Sequence, residues 1–385
     1  MSDLIYLDHA ATTPVRQEVL AAMWPFFGDA FYNPSSRYAP AQQVAAALEA
    51  ARATVAGCLG ARPGEIVFTG GGSEADNLAL KGVALANRAR GDHLITTAIE
   101  HHAVLHACQD LERSHGFRVT YLPVDRHGLV DLDALAAALD ERTVLVSVML
   151  ANNEVGTIQP LAEIAALVRP RGILLHTDAV QAAGLLDLNV DALGVDLLSL
   201  AAHKFYGPKG AGALYVRRGV RLHPLIHGGG QERDRRAGTE NTAGIVGLAE
   251  ALRLAVAERD EVGPRLMALR DRLLAGLLAA PGVVLTGHPV RRLPGLASIC
   301  VAGVEAEPLL IELEMAGIAC SSGSACAAGS SEPSHVLTAM GFPPELARGA
   351  LRFSLGRHTT AEEIDYVAAT VPAVIAALRG TAAAV

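Results

Sequence analysis

Short apolar runs alternate along this chain with longer stretches in which apolar residues recur at helical spacing. The runs EIVFTG (65–70), HLITTAIE (93–100), FRVTYLPV (117–124) and TVLVSVML (143–150) predict strands. GILLHTDA (172–179), LLSLAAH (197–203) and GALYVRR (212–218) predict three more. Amphipathic stretches such as EADNLALKGVALANRAR (74–90) and LAEIAALVR (161–169) lie between them and predict helices. This alternation predicts an α/β fold whose mostly parallel sheet is covered on both faces. From about Asn241 to Ala280 the pattern stays helical for longer than one ordinary element, with Gly263-Pro264 as its expected interruption. Such a stretch would leave the large domain and enter a second one. Apolar runs at 283–287 and 296–303, with helices near 306–316, 333–340 and 361–378, predict a smaller α+β domain. The expected division is 15–255 for the large domain, with 1–14 and 256–385 forming the small one.

At 385 residues the chain is long enough for that pair of domains. A net charge of −8 offers no basic surface for nucleic acid. No apolar run is long enough to suggest a membrane span, and the first residues do not read as a signal peptide. Five irregularly spaced cysteines do not form a disulfide framework, so free thiols in the cytoplasm are expected. Lysine is scarce. Of 32 basic residues only Lys81, Lys204 and Lys209 are lysines. Chemistry that needs an amine has three candidates.

Lys204 follows a histidine at the exit of an apolar strand, in LLSLAAHKFYGPKG. Burial at such a place can lower an amine's pKa and make it a nucleophile for Schiff-base chemistry with an aldehyde cofactor. Lys209 lies in the following turn and Lys81 within a helix, where solvated surface charges are expected. The alternative for Lys204 is a structural role. FTGGGSEADN (68–77) ends a strand with glycines and opens a helix. Its backbone N–H groups and helix dipole suit a phosphate, and a tight turn with Ser73 as N-cap explains it equally well. A pyridoxal cofactor also needs a carboxylate at its ring nitrogen, and Asp178 ends an apolar strand. A turn former is the alternative there. His176, two positions earlier, raises a metal site, but no third ligand is evident. His101, in IEHHAV, could stack on an aromatic ring or be a surface residue. Cys326 sits in GIACSSGSACAAGSSEPSHVL, among Ser, Gly and Ala, and reads as a reactive thiol on a loop. Cys320 reads as a core residue. Arg352 lies on a strand-like run, and its fork could grip a carboxylate or form a surface salt bridge.

The order and wording of these motifs resemble the cysteine desulfurases of the class V aminotransferase group, fold type I pyridoxal-phosphate enzymes. The resemblance runs from YLDHAATTP (6–14) to RFSLGRHTTAEEIDY (352–366). It passes through NPSS (33–36), GGSEADN (71–77), EHHAV (100–104), NNEVG (152–156), HTDAVQ (176–181), AHKFYGPKG (202–210) and RRAGTEN (235–241). The loop SSGSAC (321–326) points to the group I, nitrogen-fixation and iron–sulfur type. The resemblance implies a homodimer that uses pyridoxal 5'-phosphate to take sulfur from L-cysteine, release L-alanine and pass the sulfur to an acceptor protein. That acceptor would be an iron–sulfur scaffold or a thiolation protein. The resemblance implies that Lys204 carries the cofactor as a Schiff base, Asp178 pairs with the pyridine nitrogen and His101 stacks on the ring. Asn153 and Gln181 would touch the phenolic oxygen. Gly72, Ser73 and His203 would bind the phosphate, and Thr239 would reach the phosphate of the neighbouring subunit. Arg352, with Asn153 nearby, would hold the substrate carboxylate, and Cys326 would accept the sulfur. No resident metal is implied, though Cys326 could ligate an iron–sulfur cluster in passing.

Two departures stand out. The family often has a serine three positions before the lysine, where this chain has Ala201. The longer Trp-containing tail of members specialised for the general iron–sulfur scaffold is replaced here by VIAALRGTAAAV. Other lyases or aminotransferases of the same fold, such as one releasing selenium, remain as alternatives, as does a non-catalytic protein that keeps the fold.

Overall fold

The computed structural model describes residues 4–323 and 333–382. Its strands, in chain order, are β1 (Ile5–Tyr6), β2 (Ile66–Thr69), β3 (His93–Thr97), β4 (Arg118–Leu122), β5 (Thr143–Ser147) and β6 (Leu174–Asp178). They continue with β7 (Leu197–Ala201), β8 (Gly212–Val216), β9 (Val283–Leu285), β10 (Leu296–Val301), β11 (Ile318–Ala319) and β12 (Ala350–Ser354). The seven strands expected from the apolar runs form one sheet in the order β2-β8-β7-β6-β5-β3-β4. The pairs β4–β3, β3–β5, β5–β6 and β6–β7 are parallel, and β8 runs antiparallel to β7 and β2. The reason these strands read as unbroken apolar runs is that both faces are covered. Every residue of β3, β5, β7 and β8 is buried. One face packs on a core built around Val55, Ile95, Leu175 and Leu248, the other on Leu78, Leu94, Leu145 and Leu214.

A second, antiparallel sheet has the order β12-β10-β9, and β1 pairs in parallel with β11. Its own core gathers Ile299, Leu309, Leu351, Phe353, Ile364 and Val371. The expected interruption at Gly263-Pro264 does not occur. Thr242–Leu278 is one continuous helix of 37 residues with Pro264 inside it. A proline removes one backbone hydrogen bond and strains the turn before it, at a cost of about 3 kcal/mol. Here the helix is held on both sides of the proline. Ile245, Leu248 and Leu252 pack into the large-sheet core, and Leu266, Leu273 and Leu277 into the small one.

In an open α/β sheet, ligands gather at the carboxyl ends of the parallel strands, where the chain leaves the sheet. Five motifs from the sequence leave strands there. Gly72 follows β2, His101 follows β3, Asn153 follows β5, Asp178 ends β6 and Lys204 closes the short 3-10 turn after β7. The amino-terminal segment crosses the same edge, with Thr13 N–H donating to the His203 carbonyl.

Candidate active site

These strand ends enclose a cleft of about 1200 Å³. Gly72, Ser73, His101, Asn153, Asp178, Gln181, His203, Lys204 and Arg352 line it, so the fold brings together nearly the whole expected set. Two members stand apart. Thr239 is exposed and is not among the lining residues. Cys326 lies outside the described residues.

Lys204 reaches the cleft because its 3-10 turn ends a fully buried strand. Its Nζ donates to the carbonyls of Ala10 (2.6 Å) and Ala11 (2.9 Å). The other lysines are placed elsewhere. Lys209 is exposed, and Lys81 is half-buried in an ion pair with Asp110 at 2.9 Å. Asp178 is buried, and its Oδ1 accepts from the Val180 N–H at 2.9 Å. Burial pushes its carboxyl up to about 6, against the opposing pull of the Val180 N–H and the Lys204 charge. His101 caps helix His102–His115, with Nδ1 accepting from the Ala103 N–H at 3.1 Å. That bond leaves Nε2 as the protonated nitrogen of the neutral ring. Burial, then the nearby Lys204 charge, lowers its pKa to about 4. His203 is lowered to about 4 by the same two causes in the same order, and its Nδ1 lies 3.2 Å from Thr12 Oγ1.

The glycine turn does not use Ser73 as a cap. Gly71 is the N-cap, and the fifteen-residue helix Gly72–Ala86 begins at Gly72. Ser73 therefore lies in the first turn, exposed toward the cleft, where N–H groups lack helical partners. Space is tight behind the turn. A Cβ at Gly72 would lie 2.9 Å from Val180 Cγ2 and 3.3 Å from the Cβ of Ala201. Gly72→Ala should push the turn into the cleft and lower cofactor retention about tenfold, roughly 1.4 kcal/mol. Equilibrium dialysis against pyridoxal phosphate measures it. Unchanged affinity would remove this turn from the phosphate site.

Arg352 is 1 % exposed on β12. Its Nη2 donates to Asp8 Oδ1 and its Nη1 to the Asn153 carbonyl, each at 2.8 Å, while Nε has no partner. A buried guanidinium on a cleft wall suits a carboxylate. Gln181 Nε2 donates to the Ala10 carbonyl at 2.9 Å. Glu154, also on the wall, accepts from Ser334 Oγ and faces Gly323. It thus sits at both ends of the segment 324–332.

His176 is no metal ligand. Its nitrogens contact the hydroxyls of Ser147 (2.8 Å) and Ser199 (3.0 Å), and among the described residues no metal-binding cluster exists. Asp8, Asp76, Glu100 and Glu154 are site residues that carried no role in the sequence reading. Their signal was adjacency, since Asp76 follows Ser73 by one helical turn and Glu100 directly precedes His101.

A profile of the class-V aminotransferase family matches residues 5–367. The chain belongs to the class-V aminotransferase family. It is 52% identical over 375 residues to the cysteine desulfurase IscS of Methanosarcina thermophila, covering 97% of this chain and 93% of that protein. The corresponding IscS of Clostridium botulinum is 52% identical over 378 residues, with 97% and 95% covered. Among solved structures, a NifS-like protein superimposes with a TM-score of 0.91 at 40% identity, covering 97% of this chain and 99% of that one. SspA in complex with cysteine superimposes with a TM-score of 0.81 at 38% identity, over 92% and 100% of the two chains. The fold is therefore fold type I, and the cofactor of this class-V enzyme is pyridoxal 5'-phosphate. The cleft fits that group. It presents a helix N-terminus for the phosphate, a buried carboxyl for the ring nitrogen and a lysine between them.

Proposed function

We propose that this chain is a cysteine desulfurase that converts L-cysteine to L-alanine and leaves the sulfur as a persulfide on Cys326. The observation that carries the reading is the convergence of Lys204, Asp178, His101 and Arg352 on one cleft. Gly323, which lines that cleft, is the last described residue before the segment that contains Cys326.

When bound, pyridoxal phosphate supplies an electron sink conjugated to the substrate Cα. Lys204 would carry the cofactor, and its amine would take the proton from the substrate Cα and return one toward alanine. Asp178 would pair with the ring nitrogen, and His101 would stack on the ring. Asn153 and Gln181 lie at the phenolic oxygen. Gly72, Ser73 and His203 hold the phosphate. Arg352 grips the substrate carboxylate with its guanidinium. The Cys326 thiolate attacks the substrate sulfur, the Cβ–S bond breaks with its electron pair left on Cβ, which takes up a proton to become the methyl group of alanine, and the sulfur stays on Cys326 as a persulfide. The sulfur then passes to an acceptor protein for iron–sulfur cluster or other thio-cofactor synthesis.

A homodimer fits the surface. Trp24, Phe27, Phe31 and Tyr38 are 76, 65, 69 and 54 % exposed within one short segment. That is an apolar patch of the kind interfaces cover. Thr239, exposed on its loop, reaches the neighbouring subunit's phosphate. The loop is anchored by Glu232, which binds Arg52 through both oxygens at 2.8 Å and accepts from the Phe68 N–H at 2.9 Å. The anchor holds three consecutive left-handed residues, Glu232, Arg233 and Asp234. Glu232→Gln should cost about 1.5–3 kcal/mol of stability and weaken cofactor binding through the loop. A thermal melt with cofactor titration measures both. Residues 15–255 form the cofactor-binding domain in this reading, with 1–14 and 256–385 as the small domain. No helix among the described residues is long and apolar enough to cross a membrane. The free thiols Cys58, Cys108, Cys300 and Cys320 suit a reducing cytoplasm.

The test is product analysis. Holoenzyme given L-cysteine should yield alanine and persulfide-bound sulfur in equal amounts. Formation of a keto acid without sulfur transfer would assign an aminotransferase instead.

A further inference from the structure

Behind the cleft, three carboxyls share a wall that is nearly closed to solvent. Asp178 is 6 % exposed, Asp76 is 1 % and Glu100 is 0 %. Asp76 lies on helix Gly72–Ala86, Asp178 ends β6 and Glu100 follows β3. Among the described residues, no arginine or lysine forms an ion pair with Asp76 or Glu100. The group nearest ion-pair reach of Asp76 is His176, at 3.7 Å. That ring is already placed between the Ser147 and Ser199 hydroxyls, and its full burial pushes its pKa down to about 3. It is neutral and offers no counter-charge. Lys204, His101 and His203 stand on the cleft side of the wall, and the buried thiol of Cys108 lies behind Glu100.

The bare oxygens agree with this. Asp76 Oδ1 and Glu100 Oε2 have no hydrogen-bond partner. Glu100 Oε1 accepts from Thr97 Oγ1 at 2.7 Å and from the Met149 N–H at 3.0 Å. A buried carboxylate with one oxygen bare and no cation costs several kcal/mol, and a neutral acid in the same place costs far less. Burial and mutual repulsion act the same way on both groups. Burial pushes Glu100 up to about 8 against the opposing pull of the Met149 and Thr97 hydrogen bonds, with a smaller push from the Asp178 charge. Asp76 is raised well above the usual carboxylate range by burial first and then by the Asp178 charge.

We propose that Asp76 and Glu100 are neutral acids that leave the negative charge of this wall on Asp178, and that Asp76 is a positioning residue for the carboxylate that faces the cofactor's ring nitrogen. A second negative charge beside Asp178 would raise its affinity for a proton, and a protonated Asp178 no longer stabilises a charged ring nitrogen. A neutral Asp76 keeps its hydrogen bond to Ser199 and adds no such charge. The inference rests on the assignment of Asp178 to the ring nitrogen.

The test uses holoenzyme and the variants D76N, E100Q and D76L. Infrared difference spectra at neutral pH should show the carbonyl stretch of protonated carboxylic acids, with one component missing from D76N and another from E100Q. In an absorbance titration of the Lys204–cofactor chromophore, D76N should stay within about half a pKa unit of the wild type, since one neutral group replaces another. D76L, which has no hydrogen bond to offer, should move that titration further. A shift of more than about one unit in D76N, or no protonated-acid band that D76N removes, overturns the charge assignment. A D76L titration that coincides with the wild type overturns the positioning role. Stability against pH gives an independent reading of Glu100. The folded chain keeps the Glu100 proton up to about 8, whereas the unfolded chain releases it near 4.5. Wild-type stability should therefore fall as pH rises through that window, and E100Q should remove that part of the fall. An unchanged slope in E100Q overturns the Glu100 assignment. Failure of the catalytic reading looks different. A protein that carries no chromophore refutes Lys204 as the cofactor lysine, yet its infrared bands and pH slope still report on Asp76 and Glu100.

Discussion

Lys204→Ala is expected to purify colourless and to form alanine from L-cysteine about 10²- to 10⁴-fold more slowly, the usual contribution of a positioned acid–base group. The size of the effect follows from two tasks falling on one amine. Lys204 is the lysine of the cleft wall, at the exit of buried β7, and its Nζ is held by the Ala10 and Ala11 carbonyls. Neither of the other lysines can replace it. Lys209 is exposed beyond the turn, and Lys81 is paired with Asp110 on the flank of its helix. Loss of the covalent tether should lower cofactor retention, and loss of the amine removes the group that exchanges the Cα proton. Absorbance of the purified protein and a single-turnover alanine assay measure the two parts separately. A yellow Lys204→Ala protein with undiminished turnover would refute the assignment.

Much of this site was legible before the fold because its parts are local. A strand that ends in glycine and opens a helix fixes a turn at Gly72 without help from distant chain. Scarcity made Lys204 conspicuous, and the apolar run before it fixed its place at a strand exit. The seven strands were legible because β3, β5, β7 and β8 are buried on both faces, so their runs needed no alternation to be recognised. What escaped was set by contacts between distant segments. Asp8 and Arg352 are far apart in sequence, and they meet because β12 continues beside the amino-terminal strand, with Asp8 bridged to Ser354. Pro264 looked like a break because local rules disfavour proline inside helices. Two cores, one on each side of it, outweigh that cost. The acids Asp76 and Glu100 carried no role in the sequence reading, and only their burial beside Asp178 gives them meaning. Ser73 shows the opposite case, where the residue was found but its local role was not, since Gly71 takes the cap.

Cys326→Ser should keep the colour and the cysteine-dependent change in the cofactor spectrum, form no protein persulfide, and make alanine only at background rate. The argument begins from the other thiols. Cys108 and Cys300 are fully buried in cores. Cys58 lies on helix Ala39–Leu59, packed against the large-sheet core. Cys320 packs against the small-sheet core beside the Asp8–Arg352 pair, and burial pushes its thiol up to about 12. A thiol held protonated at neutral pH is a poor nucleophile, because the thiolate does the attacking. Cys326 lies outside the described residues, three positions after Gly323, which lines the cleft together with Arg352. On the other side the chain re-enters at Ser334 and His335, where Ser334 Oγ donates to Glu154 and His335 lines the cleft. Cys320→Ser is the paired control and should retain persulfide formation. Loss of persulfide in Cys320→Ser with full activity in Cys326→Ser would move the sulfur acceptor to Cys320. Mass spectrometry of the alkylated protein after one turnover distinguishes the two, because the added sulfur stays on the residue that attacked.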